Sequence, residues 1–97
     1  MSDHQEQREL QQIRAQVAFG MDVEAFMQSQ IGRYLQEKAN ADRDAAMEAL
    51  IDVDADDPSA VRKLQMDARC ATNVLLWLGE AVSEGQNAAL QLIASTD

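Results

Sequence analysis

A chain of 97 residues holds one domain at most, with a core too small to make that domain strongly stable alone. Eight Lys and Arg against 17 Asp and Glu leave a net charge of −9, so nucleic acid and anionic membrane surfaces are poor partners and a basic partner is favoured. The composition, 46% hydrophobic and 26% charged, is that of a folding chain. Its abundant Ala, Leu, Gln and Glu favour helix over strand.

Three helices are expected within a single domain spanning residues 1–97. The first covers about residues 3–18, where Leu10, Ile13 and Val17 form a narrow apolar stripe. Gly20 is read as its stop, a residue able to take the left-handed closing conformation. The second covers about residues 22–51, capped by Asp22, with Glu24 suiting the positive end of the helix dipole. Its stripe begins with large residues (Val23, Phe26, Met27, Ile31, Tyr34, Leu35) and ends with small ones (Ala39, Ala45, Ala46, Ala49, then Leu50). Gly32, inside that pattern, suggests either close packing of a neighbour or a bend.

Residues 52–57 form the break. Asp57 before Pro58 is the pattern of an N-cap followed by proline at the first helical position. The third helix, about residues 58–94, carries the clearest periodicity. Val61, Leu64, Ala68, Ala71, Leu75, Leu78, Val82, Gly85, Ala89 and Leu92 alternate spacings of three and four, a heptad seam. A sustained 3.5-residue repeat implies a second long helix alongside, and a short connection makes the two antiparallel. The expected fold is therefore all-α: a long, coiled-coil-like antiparallel hairpin preceded by a short amphipathic helix. At about 1.5 Å per residue the hairpin would be roughly 45–55 Å long.

Val74, Leu75, Leu76, Trp77 and Leu78 are apolar around the whole helix circumference, and one neighbour does not cover all five. The remainder needs either the first helix or a second copy of the chain, and the second copy is the favoured cover. Leu75, Trp77, Leu78 and Val82 are the candidate self-association residues, and a homo-oligomer is the expected state.

Chemistry-bearing patterns are few. The turn residues Asp52, Asp54 and Asp56 start like a calcium loop. Asp57 then stands where glycine is needed and Lys63 where glutamate is needed, so the run is read as capping aspartates. With Asp57 these acids are the candidate partner surface. His4 is the sole histidine, and no zinc set or catalytic group is proposed around it. Cys70, the sole cysteine, is expected as a small buried thiol beside the seam in a reducing compartment. Arg33, Tyr34 and Lys38 form a candidate anionic-ligand cluster, although Arg33 with Glu37, Lys38 with Asp42 and Lys63 with Asp67 also read as ordinary helical pairs. No phosphate loop or nucleophile elbow is present, and neither an enzyme nor a cofactor is expected. The polar start Met1–Gln5 is unlike a signal peptide, and the run from Val74 to Leu78 is too short to cross a bilayer.

The stretches Ser29–Leu35, Ala45–Leu50, Asp52–Pro58, Leu64-Gln65 and Trp77–Gln86 resemble small helical proteins of tailed bacteriophages and prophages encoded near head and packaging genes. The resemblance spans about residues 29–92 and implies a phage origin, a bacterial host cytoplasm or virion, and a non-enzymatic role. It transfers no functional residue. The expected function is that of an oligomeric accessory protein in particle assembly or packaging, contacting a phage structural protein. Two alternatives are an acidic inhibitor of a basic host enzyme that handles nucleic acid or serves in defence, and an oligomeric small-nucleotide sponge.

Overall fold

The computed structural model describes residues 2–95. It consists of α1 (Ser2–Gln28), α2 (Gln30–Asp52) and α3 (Pro58–Ser95), with no strand among the described residues. The all-helical class therefore follows the composition.

The first boundary does not. The helix expected to stop at Gly20 continues to Gln28, passing through Asp22 without a new start. No described residue has a positive φ, so Gly20 does not adopt the left-handed closing conformation. The chain breaks instead at Ser29, whose extended backbone (φ −69°, ψ 163°) takes it out of the helix. The Ser29 Oγ accepts the Gly32 N–H at 3.0 Å, and the Ser29 carbonyl accepts the Arg33 N–H at 2.9 Å. Ser29 is thus the N-cap of α2, satisfying a donor that the helix start would leave unpaired.

The second break follows the sequence closely. Asp54 Oδ1 accepts the Asp56 N–H at 2.9 Å, and the Asp54 carbonyl accepts the Asp57 N–H at 3.0 Å, closing a tight turn. Asp57 Oδ1 accepts the Ala60 N–H at 3.1 Å, and Pro58 opens α3 where its missing donor is harmless.

The backbone falls into two compact units, Met1–Gln28 with Leu78–Asp97 and Ser29–Trp77. In the first, α1 meets the second half of α3 at glycine. A Cβ on Gly20 would lie 2.8 Å from Gly85 Cα and 3.1 Å from the Ala81 carbonyl oxygen. A Cβ on Gly85 would lie 2.9 Å from Gly20 Cα. The two backbones touch there, which is why both residues are glycine. Ala88, one turn on, is only 2% exposed.

In the second unit, α2 buries Gly32, Ala39 and Ala46, seven residues apart. Gln36, Arg43 and Leu50, also seven apart, are half-buried beside them. This is a second heptad stripe; the sequence reading placed Gly32, Ala39, Ala46 and Leu50 in it and left out Gln36 and Arg43 because they are polar. Both are satisfied close to home: Gln36 Nε2 donates to the Gly32 carbonyl at 3.1 Å, and Arg43 Nε reaches Asp44 Oδ1 at 3.5 Å. Along α3, all ten seam residues from Val61 to Leu92 are buried or half-buried.

Candidate interaction surface

The buried apolar residues among those described are Ala39, Ala46, Ala71 and Ala88, and no side chain is fully buried. Large apolar residues sit outside instead. Ile31 is 68% exposed, Tyr34 62% and Trp77 63%, and Leu35, Met66, Val74 and Leu76 are exposed with them. Ile31, Tyr34, Met66, Leu76 and Trp77 lie off the buried heptad positions of their helices, whereas the larger seam residues such as Leu64, Leu75 and Leu78 are half-buried.

In the second unit α2 and the first half of α3 share a groove of about 660 Å³. Ala39, Ala46 and Ala71 form its buried floor, with Leu35, Leu64 and Val74 on its walls. Lys38, Asp42, Asp67 and Cys70 also line it. The Lys38 ammonium donates to Asp42 Oδ1 at 2.8 Å, and that hydrogen bond, with the charge of the carboxylate, raises the Lys38 pKa above 10.5. The other two expected pairs, Arg33 with Glu37 and Lys63 with Asp67, are not among the ion pairs of the described residues.

Leu75, Leu78 and Val82 lie on the inward seam and are half-buried, so Trp77 is the one member of the self-association set that stands clear. Cys70 is exposed rather than buried. It precedes buried Ala71 by one residue, and a rotation of about 100° carries it from the seam to the groove edge. Asp52, Asp54, Asp56 and Asp57 are exposed, but the carboxylates of Asp54 and Asp57 are turned to backbone N–H groups. Among the described residues no three His, Cys, Asp or Glu side chains are grouped to hold a metal ion. Arg33, Tyr34 and Lys38 are all exposed on α2, with the Lys38 charge already engaged by Asp42. No helix among the described residues is long and apolar enough to cross a membrane.

The sequence signal for this surface was present but split. The expected stripe mixed both kinds of position: Ala39 and Ala46 are buried, whereas Ile31, Tyr34, Leu35, Ala45 and Ala49 are exposed. No protein family matches the sequence, and comparison with curated proteins and with solved structures finds no similar chain.

Proposed function

We propose that this chain is a non-enzymatic helical interaction protein that works as a homo-oligomer, in the assembly or packaging of a tailed-phage particle. The observation that carries self-association is the inverted burial. Alanines form the core while Trp77, Ile31, Tyr34 and Met66 face solvent. A second copy is the cover that these exposed apolar side chains lack. The antiparallel coiled-coil-like hairpin belongs to the same reading: five residues, 53–57, connect α2 to α3, and both helices carry heptad stripes. The phage context rests on the resemblance of the stretches between residues 29 and 92, and the acidic turn is the surface offered to a phage structural partner.

Light scattering on the full chain tests the oligomer directly. A mass of two or more chains is expected, and a mass of one chain across the micromolar range would refute it. Capture from phage-infected lysate tests the role. Head or portal proteins support assembly, whereas a host nuclease or polymerase replaces it with inhibition.

A further inference from the structure

The geometry points to the open face of the second unit as a self-complementary surface, on which α2 pairs with α2 of a second copy, antiparallel, about a two-fold axis near residue 40. The inference rests on the homo-oligomer reading above and specifies its interface.

On a helix of 100° per residue, Ile31, Leu35, Lys38, Asp42, Ala45 and Ala49 fall within about 40° of one line. All six are exposed. Their order is what selects the occupant. Reversing the helix about residue 40 sets Ile31 opposite Ala49, Leu35 opposite Ala45, and Lys38 opposite Asp42. Each protruding residue meets a small one, and each charge meets its opposite. An isologous two-fold interface requires this property of a patch, because every residue and its mate occur twice. Lys38 and Asp42 already lie 2.8 Å apart in one chain, so the pair of copies would gather four charges of alternating sign at the axis.

The neighbouring face of α3 pairs differently about residue 70, apolar on apolar and cation on indole. Met66 falls opposite Val74, Lys63 opposite Trp77, and Cys70 opposite itself. Met66, Val74, Trp77 and Cys70 are all exposed. A lysine over an indole face is a favourable contact. The groove between the helices, lined by residues 35–46 of α2 and 64–74 of α3, is centred close to the same two positions.

Net charge also selects this unit. Residues 29–77 hold six Lys and Arg against nine acids, whereas residues 1–28 with 78–97 hold two against eight. Two copies repel least when their second units meet. A standard interface takes about 800 Å² from each partner, and Ile31, Leu35, Met66, Val74 and Trp77 offer exposed apolar surface to it on this one unit.

Charge reversal in full-length chains tests the pairing. Lys38→Glu makes the axis wholly acidic and Asp42→Lys makes it wholly basic. Each variant alone is expected to self-associate roughly tenfold more weakly than the native chain, and a 1:1 mixture to regain native affinity as a mixed pair. Mild oxidation of the native chain is expected to link two copies through Cys70, and Cys70→Ser to abolish the link. A native chain that is oligomeric while the mixture associates no better than either variant would overturn the α2 pairing and leave the oligomer standing. A native chain of one-chain mass would overturn both. Circular dichroism of each variant matching the native helix content establishes that the charges, not unfolding, cause the change.

Discussion

Alanine substitution at two glycines of α3 and α1 should change stability in opposite directions. At Gly79 an added Cβ meets nothing within 4 Å. Gly79→Ala therefore gains the helix preference of alanine over glycine, about 0.8–1 kcal/mol. Gly20→Ala gains the same preference, but its Cβ would lie 2.8 Å from Gly85 Cα and 3.1 Å from the Ala81 carbonyl oxygen. Both obstacles are backbone, so neither moves by a rotamer change and the helices must separate. Overpacking of this kind costs about 1–3 kcal/mol. The net for Gly20→Ala is a loss of about 1 kcal/mol, and the two variants should differ by about 2 kcal/mol. In a chain of this size that gap corresponds to a Tm difference of about 10 °C. Urea unfolding followed by circular dichroism, at one chain concentration because association makes stability concentration-dependent, reads the difference. Gly20→Ala as stable as Gly79→Ala would show that α1 and α3 do not touch at glycine, and the account of the first unit would fail.

Three further outcomes are expected. Ser29→Ala removes the 3.0 Å bond to the Gly32 N–H and should lower stability by about 1 kcal/mol, with Ser29→Asp restoring most of it in the same urea assay. Asp57→Ala leaves the Ala60 N–H uncapped and should cost about 1 kcal/mol, whereas Ala55→Ser, exposed in the same turn, should stay within about 0.5 kcal/mol. Because the folded-state pKa of Lys38 is raised, its contribution to stability is fully present below the ordinary value of 10.5 and is lost as pH rises through the higher folded value. NMR titration of the Lys38 ammonium should show a midpoint above 10.5 that returns toward it in Asp42→Asn.

Local preference wrote much of this molecule into its residue order. The α3 seam was legible at all ten positions because a 3.5-residue repeat of apolar and small residues has one solution, a helix face turned to a neighbour. The start of α3 was legible because Asp57-Pro58 combines a side-chain acceptor with a missing donor, both strictly local effects. What sequence reasoning misassigned depends on contacts between distant residues. Gly20 has the local character of a helix terminator, and only Gly85, 65 residues away, makes it a contact instead. Gln36 and Arg43 look like solvent-facing residues, yet they share a helix face with buried Ala39 and Ala46 and are half-buried with them. Periodicity tells which residues share a face; packing between elements chooses which face turns in, as Gly20 shows by meeting the Gly85 backbone instead of ending its helix.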